Sequence, residues 1–263
     1  MSQPPDLPPL VVPARFCGPP SSGNGGWSAG AVSAYAGDEC PDDHAQPWPA
    51  VTVSLLAPPP LDVPMDVAPA ADGGVVASYD GAPVLRARCS HETVADVPPV
   101  PPDEARAAEA SYVGLAGHPF PTCFSCGTGR EPGDGLRIFP GRVDDHDGHA
   151  RVAATWTPDA TVAEDYHSYG DAHPRASVPV TWAALDCVGG WAGDLEERLM
   201  VLARMTARID ALPAIGEEHV VVGTGRGQEG RKTWTSSTLY DAHGRVVASA
   251  EHLWIAVDPA AFA

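Results

Sequence analysis

The sequence predicts an α+β fold made of two helix-then-sheet units in one chain, and three observations lead there. In each half, a stretch of small or apolar residues containing paired glycines precedes several short runs rich in β-branched residues. Those runs are broken by Pro, Asp and Gly, as consecutive antiparallel strands are. A proline run, VADVPPVPPDEARAAEA, opens into a short acidic helix between the halves and reads as a crossover. Finally, Gly25, Gly26 and Trp27 match Gly189, Gly190 and Trp191, and Tyr79-Asp80 with Val84-Leu85 matches Tyr240-Asp241 with Val246-Val247, at offsets of 164, 161 and 162 residues. Matches in order at nearly constant offset point to an internal duplication.

Taken in order, residues 1–13, MSQPPDLPPLVVP, read as a polyproline-like arm that packs loosely. SSGNGGWSAGAVSAYAG is a glycine-rich turn running into a helix of small residues, followed by the loop DECPDDHAQPWP. VTVSLLAPPPLDVPMDV, GGVVASYDG and APVLRARCSH supply the strands of a first unit over 14–93. Residues 94–131 form the crossover, ending in the loop HPFPTCFSCGTGR with its Cys-x-x-Cys pair. The second unit, 132–263, reads as two strands in LRIFPGRV and HARVAATW, a helix in SVPVTWAALDCVGGWAGDL, and three or four closing strands.

At 263 residues and 44% hydrophobic, the chain can bury a full core. Its 34 acidic residues against 16 basic ones give a formal charge of -18, a field that repels phosphodiester backbones and anionic lipid surfaces. Neither a nucleic acid nor a membrane partner is expected. No apolar run approaches the roughly 18 residues of a spanning helix, and MSQPPDLPPL lacks the pattern of a signal peptide, so the expected location is cytoplasmic. The six cysteines fit no secreted framework and are read as reduced thiols. GxSxG, P-loop and GxGxxG motifs are missing, which leaves serine hydrolase, NTPase and dinucleotide-binding chemistry without support.

With these residues in view, the chain resembles the double-hotdog acyl-CoA thioesterase-like family. GNGGWSAGAVS is similar to the helix start of the family's N-terminal unit. VTWAALDCVGGWAG and KTWTSSTLYDAHGRVVASAEHLWIAV look like the central helix and last hairpin of actinobacterial thioesterase-like chains. The resemblance implies a double hotdog, two antiparallel sheets joined edge to edge and each wrapped around a central helix, with a cleft between the units. It also implies hydrolysis of an acyl-CoA or acyl-carrier thioester and a role in fatty acid metabolism; no cofactor is expected, and further pairing as a homo-dimer stays open. Two alternatives stay open, a non-catalytic acyl-binding protein and a hotdog enoyl-CoA hydratase or dehydratase. The hydratase-type Asp-x-Asn-Pro-x-His pattern is missing.

Thioester hydrolysis needs a polarised carbonyl and a carboxylate that attacks it or activates water. Gly25 and Gly26, at a helix start, offer backbone N–H groups for the developing oxyanion, and Gly189 and Gly190 are read as equally suited. Asn24 and Trp27 flank the first pair as candidate substrate contacts. Asp186 lies in the apolar stretch WAALDCV, where a carboxylate is costly unless paired or used. The resemblance makes it the catalytic aspartate of the C-terminal helix. It also places Thr206 near the family's catalytic Thr position and Glu251-His252 where a Gln would stand, so His252 is the candidate for that polar role.

Three further features are weaker. Arg226, Arg231 and Lys232 form a basic cluster that could meet nucleotide phosphates. Asp144 to Gly148 reads as a hairpin turn rather than a calcium loop. His118 and Cys123-x-x-Cys126 have spacing that suits zinc or a redox pair, but one pair is too few for a structural site, so the site assignment holds no metal, a tight loop with buried thiols is the favoured reading, and a zinc role for the loop stays open. Cys187, Cys89 or His91 would complete such a site only where the fold brings them close.

Overall fold

The computed structural model describes residues 7–36, 48–71, 73–164, 173–258 and 260. Most of the loop DECPDDHAQPWP, with Cys40, lies outside them. The first half holds β1 (Leu10–Val11), α1 (Gly25–Ser33), β2 (Trp48–Leu55), β3 (Pro64–Pro69), β4 (Val75–Tyr79) and β5 (Ala82–Cys89). A short helix α2 (Pro102–Ala108) lies in the crossover, and β6 (Gly141–His146) and β7 (His149–Trp156) follow it. The second half is completed by α3 (Val178–Ala192), β8 (Met200–Ile209), β9 (His219–Glu229), β10 (Lys232–Tyr240) and β11 (Val246–Ala256). Among the described residues no helix is long and apolar enough to cross a membrane.

All the strands join one 11-stranded sheet in the order β1-β3-β4-β5-β2-β8-β11-β10-β9-β7-β6. The two sheets expected to meet edge to edge are here one continuous sheet. Strands β2 and β8 pair antiparallel, with Thr52 opposite Thr206 and Val53 opposite Met205, so neither half keeps a free edge at the seam. The four strands after each long helix follow the same connectivity outward from that seam, β2-β5-β4-β3 on one side and β8-β11-β10-β9 on the other.

The helices explain why the sequence places small residues where it does. Asn24 caps α1, its Oδ1 accepting the Trp27 N–H at 2.8 Å. From Gly26 to Ser33 every residue of α1 is buried, as in a helix enclosed on all sides. A Cβ on Gly26 would stand 2.5 Å from Asp186 Cβ, and one on Gly30 would stand 2.7 Å from Pro179 Cα. The two helices therefore lie antiparallel in backbone contact, and only glycine fits at those crossings. Ser177 caps α3 and Pro179 stands in its first turn.

Residues 94–101 strap the face of the sheet opposite the helices. The Val97 N–H donates to Thr238 Oγ1 at 2.8 Å and the Tyr240 hydroxyl donates to Val97 O. Val97, Val100, Ala105, Val220 and Val222 build a second, smaller core there.

Two local expectations are corrected. The N-terminal arm does not pack loosely over its described part, since Leu10 pairs with Met65 of β3 and both Leu10 and Val12 are buried. LRIFP is not strand; the Leu136 and Ile138 N–H groups bond back to Phe124 O and Ser125 O, tying this segment to the cysteine loop. The turn at Asp147-Gly148 does close the β6–β7 hairpin, both residues having positive φ.

Candidate active site

A cavity of about 270 Å³ opens where the start of α1, the third turn of α3, the cysteine loop and strands β2, β8 and β11 meet. Its wall is mostly apolar, with Leu55, Phe120, Leu195, Met200, Leu202 and Trp254 prominent. Asn24, Gly25, Asp186, Cys187, Cys123 and Cys126 supply most of the polar chemistry.

Asp186 is the centre of this group. Burial alone would make an isolated carboxylate untenable, and two donors offset it. Its Oδ2 accepts the Gly26 N–H at 2.9 Å and Asn24 Nδ2 at 3.0 Å, while the buried Oδ1 has no partner among the described residues. Desolvation outweighs the two donors and pushes the carboxyl up to about 7. The Gly25 N–H, the first orphan donor of α1, makes no hydrogen bond among the described residues, and Gly25 is one of the residues lining the cavity. A carboxylate with one free oxygen beside a free backbone donor can activate water or attack a carbonyl whose oxygen the N–H receives.

The other expected residues stand differently. The Gly26 N–H is occupied by Asp186, so it holds the carboxylate instead of an oxyanion. Asn24 likewise uses both ends of its amide within the protein, capping α1 and holding Asp186. Trp27 stacks on Phe16 with ring centroids 4.2 Å apart and does not line the cavity. Gly189 and Gly190 lie in the last turns of α3, not at a helix start. A Cβ at Gly189 would stand 2.7 Å from His252 Nδ1, and one at Gly190 would stand 3.1 Å from Trp254, so these glycines admit the sheet and offer no oxyanion donor.

Thr206 also lies away from the cavity. Its neighbours Met205 and Ala207 face the helices, so strand alternation turns Thr206 to the strapped face, where its hydroxyl bonds Thr52 Oγ1 at 2.9 Å. Glu251 pairs with Thr206 in register and shares that face. His252 faces inward but beneath α3, its Nδ1 3.3 Å from Thr235 Oγ1 and its Nε2 unpartnered among the described residues. Burial pulls it down to about 4, so it is neutral. Of the basic cluster, Lys232 pairs with Ile255, which lines the cavity, while Arg231 donates to Ala256 O and Arg226 to Ser236.

The sulfur cluster is what sequence reasoning could not assemble. Cys123, Cys126 and Cys187 bring their Sγ atoms within 4.8 Å of one another, and Cys123 and Cys187 are 3.6 Å apart. His118 Nε2 lies 3.2 Å from Cys126 Sγ. Hydrogen bonds from Cys126 and Cys187 hold the Cys123 thiol well below its usual range, and burial pushes Cys126 above it.

No protein-family model and no curated protein sequence matches the chain. Its likeness is to solved structures. The Mycobacterium avium subs paratuberculosis tesB protein aligns over 98% of this chain and 91% of its own at 12% identity, with a TM-score of 0.52. A hot dog fold protein of unknown function from Alicyclobacillus acidocaldarius aligns over 95% and 92% at 16% identity and 0.53. An acyl-CoA thioesterase II from Mycobacterium marinum aligns over 85% and 84% at 12% identity and 0.51. The chain is thus a hotdog-fold protein, its helices held by one continuous antiparallel sheet, and it shares that fold with structures named as thioesterase II proteins.

Proposed function

We propose that the protein hydrolyses an acyl thioester, carried on CoA or an acyl-carrier arm, in the cavity beside Asp186. The observation that carries this reading is that Asp186, whose buried Oδ1 is unpartnered among the described residues, lines an apolar cavity together with Gly25, whose N–H is also without a partner there. Asp186 is the base or nucleophile and the Gly25 N–H the oxyanion donor, a contact whose removal typically costs about 2.7–4 kcal/mol of transition-state stabilisation. Gly26 and Asn24 fix the carboxylate from across the helix pair. Leu55, Met200 and Leu202 offer the acyl chain an apolar wall, and Lys232 and Arg231 stand at the end of β11 where phosphates could dock. The likeness to structures named as thioesterases supports the same chemistry.

The test is release of free CoA from short, medium and long acyl-CoAs, corrected for the protein's own thiols. Wild type turns over at least one substrate, and Asp186→Asn loses about 100-fold or more in kcat. Full activity in Asp186→Asn would remove the aspartate from the mechanism. One observation favours a second reading, an acyl-binding protein without turnover: Thr206 turns to the strapped face and His252 lies beneath α3, so neither of the remaining expected site residues lines the cavity. Ligand-dependent thermal stabilisation with no CoA release would establish it.

A further inference from the structure

We propose that Cys123, Cys126 and Cys187 bind a zinc ion through their three sulfurs, leaving its fourth position open to the cavity. This inference does not depend on the thioester reading. Two elements far apart in sequence converge to make the cluster. Cys123 and Cys126 sit on a turn closed by the Gly127 N–H donating to Cys123 O at 2.9 Å. Any side chain at 127 would collide with Cys123 O and Pro121 O, at 2.4 and 2.5 Å from its Cβ, so the turn demands glycine there. The turn is bolted to α3 by Ser125 Oγ donating to Ala183 O at 2.8 Å, and α3 supplies Cys187 one turn further on.

The geometry suits a tetrahedral ion. With Zn–S near 2.3 Å, two sulfurs on one zinc stand about 3.8 Å apart. The Cys123–Cys187 separation is 3.6 Å and no pair in the trio exceeds 4.8 Å, so small side-chain rotations close the site. A disulfide would use two of these sulfurs and leave the third as a stranded thiol, whereas a metal uses all three. The surroundings also fit thiolates. Asn24 Nδ2 lies 3.7 Å from Cys123 Sγ and 3.9 Å from Cys187 Sγ, donor contacts of the kind that orient metal-bound sulfur.

His118 takes a supporting place. Its Nδ1 accepts the Phe120 N–H at 2.9 Å, so the neutral ring carries its proton on Nε2, which points at Cys126 Sγ. It donates to a thiolate and does not offer the ion a lone pair. The three cysteines all line the cavity, so the remaining coordination position faces the space where a water or a ligand oxygen would sit, the open arrangement of reactive rather than purely structural zinc sites. Binding displaces the thiol protons to solvent, so affinity falls as pH is lowered.

The test is metal content of the full-length protein, purified under reductant after growth with added zinc. One zinc per chain is expected, with three sulfur scatterers and one lighter atom by X-ray absorption. Cys123→Ser and Cys187→Ser lose the ion, while Cys89→Ser, whose thiol bonds Ala36 O, keeps it. Should the site variants fail to fold, cobalt loaded into wild type gives an independent reading through thiolate-to-cobalt charge-transfer bands and the intense visible bands of a tetrahedral ion. Zinc retained by both site variants, wild type without stoichiometric zinc and without the cobalt spectrum, or a disulfide among the three cysteines in the fresh protein would each overturn the proposal.

Discussion

Asp186 Oδ2 accepts the backbone N–H of Gly26 at 2.9 Å across the contact between α1 and α3, so one half of the chain holds the carboxylate that the other supplies. The bond is possible because position 26 has no side chain. In Gly26→Ala the new Cβ would fall 2.5 Å from Asp186 Cβ and 2.7 Å from Trp182 O, forcing the helices apart. Overpacking of this kind costs about 1–3 kcal/mol. Chemical denaturation should register that loss, and CoA release should fall more steeply than stability, because the carboxylate loses its backbone donor.

Asn24 performs two tasks that one substitution can separate. Serine still caps a helix but cannot reach Asp186 with an amide. Asn24→Ser should unfold within about 0.5 kcal/mol of wild type yet lose activity, whereas Asn24→Ala should also lose about 1 kcal/mol of stability. Equal stability in the two variants would mean that the cap bond to Trp27 contributes nothing.

His252 ties stability to pH. Burial lowers its native pKa to about 4, and in the unfolded chain it titrates near 6.5. Below pH 6.5 the unfolded state takes up a proton that the native state refuses, so stability falls as pH drops from about 6.5 to about 4, by about 3 kcal/mol in all. Unfolding free energies of wild type and His252→Asn, measured across that window, should converge as pH falls; parallel curves would mean that His252 titrates alike in the folded and unfolded chain.

Removing the proposed metal should destabilise the protein in a way that depends on Cys187. A chelator is expected to lower the melting temperature of wild type by roughly 5 °C or more, since a ligand bound only by the folded state stabilises it by mass action. Cys187→Ser should show no such shift. A chelator effect of the same size in that variant would place the metal elsewhere.

Much of this site was legible because local rules speak clearly at particular residues. Asn24 before two glycines and a run of small residues is a helix start, and Asp186 in WAALDCV is a carboxylate with no reason to be there unless held or used. Thr206 was not legible in the same way. Its strand is covered on both faces, by the helices on one side and the crossover strap on the other, so alternation of polarity no longer reports which way a residue points. The match of Gly189 and Gly190 to Gly25 and Gly26 misled through position. Ser177 and Pro179 set the start of α3 at Val178, well before the glycines, and the same dipeptide that opens one helix is a packing surface near the end of the other. The approach of Cys187 to Cys123 depends on tertiary closure, which no local pattern encodes.

The seam between β2 and β8 has a temporal meaning. Wall residues of the cavity come from α1, the cysteine loop, α3 and finally Trp254 and Ile255 on β11, the strand of this sheet made after the other ten. Because β11 inserts between β8 and β10, the half-sheet beside the seam stays incomplete until β11 itself has been made. A growing chain therefore carries Asn24 and Gly25 long before it can build anything around them, and closing so distant a contact makes assembly of the pocket a late event in folding.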